Sequence, residues 1–414
     1  MNLAWISVGA LVLAVTLSCT TTINVGILSM SLALIVGVGL GGMTPGAVLE
    51  GLPTDLLVTL IGVTLLFSIA ECNGTLARLT ARAVKACRGQ AGLLPIMFFL
   101  VGFVIATIGA GATPASALLA PPAMAVAGRA GIPPFLMAIM AGNGALAGTL
   151  SPFAPTGIVA HGVMARIGLG GVEWQTFAYN ALAHAAVGVG GFLLFGGWKL
   201  FVRRDGTSQA AEPDLEPMDA RHWTTVAGIV ALIGAVAGFN VNVGMAALII
   251  ATTLVLLRTV NEAQAIQHMP WGVILMVSGV TVLISLLQET KGMELFAAGL
   301  ANISTPATVA PIVAFGTGIV SVYSSTSGVV LPAFLPLAPA LAERVGGGMG
   351  PLPIAWSMNV GASLVDLSSL STVGALFMAG AAPGTDTRKL FNALLAWGLS
   401  MSVVGGVVCW VLFG

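Results

Sequence analysis

The chain has 414 residues, of which 57% are hydrophobic and 7% charged, where a soluble globular protein carries about 25% charged residues. That composition excludes a soluble fold. Fifteen basic and fifteen acidic side chains cancel, without the clustered Lys and Arg of a nucleic-acid binder, and Cys19, Cys72, Cys87 and Cys409 lie too far apart for a disulfide framework or a zinc site.

A membrane-spanning helix needs about 20 mostly apolar residues, and ten segments qualify. The stretch from Leu3 to Cys19 has no basic leader and reads as the first membrane helix rather than a signal peptide. In the first half the spans are 3–19, 23–42, 55–72, 133–164 and 178–202; in the second they are 223–240, 242–257, 270–288, 351–381 and 389–413. Two of these, 133–164 and 351–381, are too long for one straight crossing and contain Gly, Pro and Ser clusters, so broken helices are expected. Two more apolar stretches, 92–128 and 306–342, are interrupted by GAGATPAS at 109–116 and VYSSTSG at 322–328. Each reads as a re-entrant hairpin, because irregular backbone at membrane depth is tolerated only where protein, water or a solute satisfies it. Between 203 and 221, eight charges in nineteen positions mark a solvated cytoplasmic linker.

The two halves resemble each other. Gly62-Val63-Thr64 is followed by Glu71 and Gly74, and Gly279-Val280-Thr281 by Glu289 and Gly292. Each half then has a hairpin with a hydroxyl-bearing tip and a proline soon after (Pro121, Pro332). A broken helix follows in each, and Gly144-Ala145 and Ser151 of the first recur at one constant offset as Gly361-Ala362 and Ser368 of the second. Residues 1–202 therefore read as a first repeat and 222–414 as a second. With the N-terminus outside, Arg78, Arg82, Lys85, Arg88, Arg129, Lys199, Arg203, Arg204, Arg221, Arg258, Arg388 and Lys389 fall inside, and only Arg166, Lys291 and Arg344 outside. This obeys the positive-inside rule, and five helices per half turn the second repeat upside down. The expected fold class is an all-α polytopic membrane protein of two inverted repeats.

Inverted repeats with discontinuous helices point to a secondary transporter whose site lies at the breaks. No phosphate-binding G-x-x-x-x-G-K-[ST] loop, H-E-x-x-H or nucleophile elbow is present, so neither an ATP-driven pump nor an enzyme is expected. The first tip presents Thr113 and Ser116, and the facing break Thr149, Ser151, Pro152, Pro155 and Thr156. The second tip presents Ser324, Ser325, Thr326 and Ser327, and its break Ser368, Ser369, Ser371 and Thr372. Half-helix N-termini carry partial positive charge and free N–H groups, so their convergence can hold an anion without Lys or Arg. Hydroxyls and unwound carbonyls beside them suit Na⁺. Asp366, the one acidic residue clearly inside a span, is a candidate cation ligand, with Ser325, Thr326, Ser368 and Thr113 as further donors. His161 serves as well for helix packing as for ligation, and Glu71 and Glu289 are placed at helix ends. Arg78, Arg82, Lys85 and Arg88 with Leu76, Leu79 and Val84 suggest an amphipathic helix on the inner membrane surface.

The runs GLPTDLLVTLIGVTLLFSIAECNGT (51–75), VYSSTSGVVLPAFLPLAP (322–339) and VDLSSLSTVGALFMAGAAPGTD (365–386) resemble the malonate/dicarboxylate carrier family, within the superfamily of divalent-anion/sodium symporters. The resemblance implies homodimers, a scaffold plus a mobile transport domain, and elevator-type movement of small carboxylates. Symporter tips carry Ser-Asn-Thr, where this chain has Ser324-Ser325-Thr326 and Ala112-Thr113-Pro114. Gly148-Thr149-Leu150-Ser151-Pro152 is similar to the Gly-Thr-Leu-Thr-Pro run of the first broken helix, and Val373 stands where the carrier pattern has Asn. The expectation is a bacterial inner-membrane transporter of di- or monocarboxylates such as malonate or C4-dicarboxylates, coupled to Na⁺ or H⁺, with no other cofactor. The rivals are the membrane subunit of a tripartite carboxylate transporter, a cation/proton antiporter and a passive channel.

Overall fold

The computed structural model describes residues 3–21, 23–86, 90–202, 217–239 and 241–414. Arg88, Arg203, Arg204 and most of the expected linker lie outside the described residues.

In the first half the helices are α1 (Leu3–Thr20), α2 (Val25–Leu34, continuing as a π turn over Ile35–Leu40), α3 (Pro45–Leu49), α4 (Thr54–Cys72), α5 (Thr75–Ala86), α6 (Leu93–Ile105, continuing as Ala106–Ala110), α7 (Ala112–Ala130), α8 (Pro134–Ala147), α9 (Pro155–Arg166), α10 (Glu173–Leu194) and α11 (Lys199–Val202). The second half contains α12 (Ala220–Phe239), α13 (Val243–Leu256), α14 (Glu262–His268), α15 (Trp271–Glu289), α16 (Gly292–Ala301) and α17 (Val309–Tyr323). A π turn over Thr326–Val330 then leads into α18 (Leu331–Phe334), a 3₁₀ turn over Leu335–Leu337 and α19 (Ala338–Val345), and α20 (Pro351–Leu364), α21 (Thr372–Ala379) and α22 (Thr387–Phe413) follow.

Element boundaries in the two halves recur at one offset. The offset that relates Gly144 to Gly361 also carries both ends of α4 onto the ends of α15, and both ends of α8 onto those of α20. The caps recur with them. Asn24 accepts from the backbone of Gly26 and Ile27 at the start of α2, and Asn242 from Met245 at the start of α13; Thr44 and Asn261 do the same for α3 and α14. Side-chain oxygens satisfying otherwise free N–H groups fix these helix starts. The short helices α3 and α14 have too few residues for a hydropathy window to reveal. The linker ends earlier than its charge suggests, because Asp219 accepts from Arg221 and His222 N–H and starts α12 at Ala220.

Each half lends its partner a packing surface. α4 crosses α13 and α15 crosses α2, and glycines make both crossings possible. A Cβ at Gly62 would meet Gly244 O at 2.6 Å, and one at Gly279 would meet Gly26 O at 1.8 Å. These are the glycines of the repeated Gly-Val-Thr runs, so the likeness between the halves is a likeness of backbone contacts.

Six helices among the described residues are long and apolar enough to cross a membrane, and further apolar helices are shorter. Large apolar side chains cover the outer surface, with Leu194 81%, Phe239 82% and Leu256 76% exposed. The chain is an integral membrane protein: such a surface is at rest in hydrocarbon and not in water.

The hairpin and break expectations meet the structure unevenly. In the first hairpin only the stretch around Gly109 (φ 130°) and Gly111 (φ 79°) leaves the helix. Thr113 and Ser116 sit in the first turns of α7, not in an open loop. Pro114 is no obstacle there, since an N–H in the first turn has no intrahelical partner to lose. The second tip is non-helical at Ser324 and Ser325, as its hydroxyl run suggests. The hairpin arms 93–110 and 326–345 have the length and apolarity of full spans, longer than the short helices expected there. Both broken helices are present, interrupted at 148–154 and 365–371. After each break a glycine lets the new helix turn back on the unwound strand. A Cβ at Gly157 would lie 1.9 Å from Ser151 O, and one at Gly374 1.9 Å from Ser368 O.

Candidate functional site

Between the two tips and the two breaks lies a cavity of about 290 Å³. Four helix starts line it: α7 through Ala112 and Thr113, α9 through Thr156, the second hairpin's inner arm through Thr326 and Ser327, and α21 through Thr372 and Val373. The unwound segments contribute Thr149, Asp366, Leu370 and Ser371, and the tip adds Tyr323, Ser324 and Ser325. The α1–α2 connection covers one side with Thr21 and Ile23, the start of α2 adds Val25, and α15 adds Met276.

Asp366 is the only charged side chain in this lining among the described residues. Its Oδ1 accepts from the Thr326 hydroxyl at 2.5 Å and from the Ser321 hydroxyl at 3.3 Å, and the Ser321 and Thr326 oxygens are 2.5 Å apart. The carboxylate is thus held by hydroxyls of the second hairpin, with no basic partner among the described residues of the cavity. Ser325 and Ser371 serve as caps: Ser325 Oγ accepts from Gly328 N–H at 3.0 Å and Ser371 Oγ from Gly374 N–H at 3.2 Å. Ser371 also donates to the carbonyls of Asp366 and Ser368, which closes the second break on itself. The hydroxyls of Thr113, Thr149, Thr156 and Thr372 make no hydrogen bond among the described residues, and so remain available to a solute.

Four of the expected hydroxyls point elsewhere. Ser116 is fully buried one turn into α7. Ser151 donates to Thr107 O at 2.6 Å and accepts from Phe153 N–H, tying the first break to the hairpin. Ser368 accepts from Leu370 N–H and packs beneath Gly398. Ser369 is buried away from the cavity as well. Pro152 and His161 line a second cavity of about 470 Å³ with Asp55, Arg166 and Glu173. Glu71 and Glu289 stand at the ends of α4 and α15. Sequence reasoning missed Ser321, Tyr323 and the α1–α2 connection. Thr20-Thr21-Thr22, a polar triplet between two apolar helices, was the signal available for the last of these.

A cation here would meet oxygens alone. Among the described residues no group of three or more His, Cys, Asp or Glu side chains could hold a metal ion. Asp366 and the hydroxyls of Ser321 and Thr326 around it are the oxygen donor type that hard monovalent ions take.

Comparison with known proteins gives this arrangement its class. Residues 1–149 match the family model of the dicarboxylate carrier protein MatC N-terminus. The fold is similar to that of the Alcanivorax borkumensis YdaH transporter, described as having an unusual topology, with a TM-score of 0.53 and 17% identity over 86% of this chain and 84% of that one. It is also similar to MtrF of Neisseria gonorrhoeae, described with a class of antimetabolite efflux pumps, with a TM-score of 0.51 and 14% identity over 87% of this chain and 80% of that one. A search of the curated proteins finds no match. The chain is a membrane transporter and not an enzyme. The resemblance read from its sequence is to the dicarboxylate carriers, and the match to the carrier model covers its N-terminal part, residues 1–149.

Proposed function

We propose that the chain is a secondary active transporter of small carboxylates, coupled to Na⁺ or H⁺, that works as a homodimer in the cytoplasmic membrane. The observation that carries this reading is the convergence of four helix starts, two from each half, on one hydroxyl-lined cavity whose described residues include a carboxylate and no Lys or Arg. Free N–H groups and helix dipoles attract the solute's carboxylates. Thr113, Thr149, Thr156, Ser324, Thr372 and the capped ends at Ser325 and Ser371 bind the solute. Asp366, with Thr326 and Ser325, holds the coupling cation. Ser116, Ser151 and Ser368 support these elements from behind. The repeated order of elements supports two inverted halves, and the small residues at the crossings suit an elevator in which hairpins and breaks move together against α4, α13, α15 and α2.

The dicarboxylate description of the matched family model favours malonate and C4-dicarboxylates as first candidates, whereas the efflux described for MtrF makes both directions worth assaying. The test is uptake and release of labelled mono- and dicarboxylates by proteoliposomes containing the purified chain alone, under imposed Na⁺ or H⁺ gradients. Accumulation above equilibrium that collapses with the cation gradient is the expected result. Equilibration without accumulation would make the protein a passive channel, and transport only with an added solute receptor would make it a subunit of a larger system.

A further inference from the structure

We infer that Asn180 is a positioning residue that locks the two half-sites of the transporter together, an inference that rests on the cavity binding solute and cation as proposed above. Asn180 lies on α10, fully buried. Its amide nitrogen donates to Leu146 O at 3.0 Å and to Ala147 O at 3.3 Å, the last carbonyls of α8 before the first break. Its oxygen accepts from the Ser363 hydroxyl at 2.5 Å, on α20 just before the second break. Both donor hydrogens and the acceptor of the side chain are used, so the group is satisfied between two interrupted helices.

The two ends of this bridge are equivalent positions. Leu146 and Ser363 are related by the offset that relates the repeats, as are Thr149 and Asp366. Thr149 N–H bonds back to Leu146 O at 3.1 Å, and Asp366 N–H to Ser363 O at 3.2 Å. The backbone N–H groups of Thr149 and Asp366 are therefore linked through Leu146 O, the Asn180 amide and residue Ser363, whose hydroxyl meets Asn180 and whose carbonyl meets Asp366, joining the solute-facing break to the cation-facing one. The second half does not repeat the device. The residue matching Asn180 there is Trp397, which packs edge-on against Phe135 and Phe195 and whose indole nitrogen has no hydrogen-bond partner among the described residues. With this bridge on one side only, binding at one break is felt at the other through Asn180, and the coupling between sites is a free energy this side chain helps to carry.

The test compares the purified full-length protein with Asn180→Ser, Asn180→Gln, Ser363→Ala and Thr176→Val. Thr176 lies one turn earlier on α10 and bonds to Trp356 instead of a break. Hydrogen exchange should rise about tenfold in both 148–154 and 365–371 for either Asn180 variant, in 365–371 for Ser363→Ala, and in neither for Thr176→Val. Having two Asn180 variants guards against failure of one to fold. Exchange that rises in only one break, or in neither, overturns the bridge. The second readout is the ratio of malonate affinities at zero and saturating Na⁺. It should shrink at least about fivefold for the Asn180 variants and stay at its wild-type value for Thr176→Val, and an unchanged ratio in the Asn180 variants overturns the coupling role. A wild-type ratio of one refutes the proposed Na⁺ coupling, while the exchange data still decide the bridge.

Discussion

The Thr326 hydroxyl donates to Asp366 Oδ1 at 2.5 Å, fastening the tip of the second hairpin to the second broken helix. The position equivalent to Asp366 in the first repeat is occupied by Thr149, whose hydroxyl lines the same cavity but makes no such bond among the described residues. Two positions related by one constant offset thus line the cavity unequally, one with a carboxyl and one with a hydroxyl. That inequality is the physical basis for the proposal that a cation binds beside Asp366 and the solute beside Thr149.

Removing the fastening should be costly. Thr326→Ala deletes a hydrogen bond to a charged group, about 1.5–3 kcal/mol, and should weaken apparent solute or cation affinity about ten- to a hundredfold. Ser325→Ala deletes the cap on Gly328 N–H, about 0.5–2 kcal/mol, and should act in the same direction less strongly. Thr252→Ala, on the exposed face of α13, is the control. Wild-type affinity for both solute and cation in Thr326→Ala would remove the residue from the site.

Much of this framework was legible in the sequence because membrane helices announce their length, and glycines at helix crossings recur with the backbone contacts they permit. The two breaks and the second tip were equally legible, since polar runs in apolar stretches are expensive unless they are used. Which hydroxyl faces the cavity was not. In an unwound stretch between two apolar helices, nothing in the spacing separates Ser151, spent on Thr107 O, from Thr149, left facing the cavity. Asn180 was overlooked although Thr176, Asn180 and His184 form a stripe at four-residue spacing along α10, all three buried. A stripe of that kind marks a helix face that meets other polar groups.

The repeated glycines predict matching defects in the two halves. A Cβ at Gly144 would meet Phe99 O at 2.1 Å, and one at Gly361 would meet Ala314 O at 2.3 Å. Each obstacle is backbone and cannot swing aside. Gly144→Ala and Gly361→Ala should therefore each destabilise the protein by about 1–3 kcal/mol or more, seen as a fall in thermal midpoint in detergent. Gly9→Ala, with nothing within 4 Å of its added Cβ, should leave the midpoint unchanged or raise it. Equal midpoints for all three would mean that the α6–α8 and α17–α20 crossings are looser than this packing.

Inverted repeats require equivalent loops to lie on opposite sides of the membrane. Gln90 and Ala307 occupy matching positions in the connections before α6 and α17, and both are exposed. In a background lacking the native cysteines, Gln90→Cys and Ser208→Cys should react with an impermeant maleimide only from the cytoplasmic side, and Ala307→Cys only from outside. Labelling of positions 90 and 307 from the same side would make the repeats parallel.

The charge inventory of the cavity leads to the last prediction. A dicarboxylate brings two negative charges to a cavity that already holds Asp366 and has no Lys or Arg among its described residues. Helix starts of about half a charge each cannot fully offset them in a medium of low dielectric, and unpaired buried charge is strongly unfavourable. A cation bound beside Asp366 completes the balance, so solute binding should depend on it. Asp366→Asn keeps an oxygen to accept from Thr326 while removing the charge. The variant should express and fold like the wild type, yet need a cation concentration at least about tenfold higher for half-maximal transport, or lose cation dependence altogether. Thr149→Val, the neutral counterpart, should weaken solute affinity and leave the cation requirement in place. The measurement is initial uptake in proteoliposomes across a Na⁺ series at fixed pH and a pH series without Na⁺. Wild-type dependence on both in Asp366→Asn would mean that the carboxylate only fastens the hairpin to the break, and that the cation is bound elsewhere.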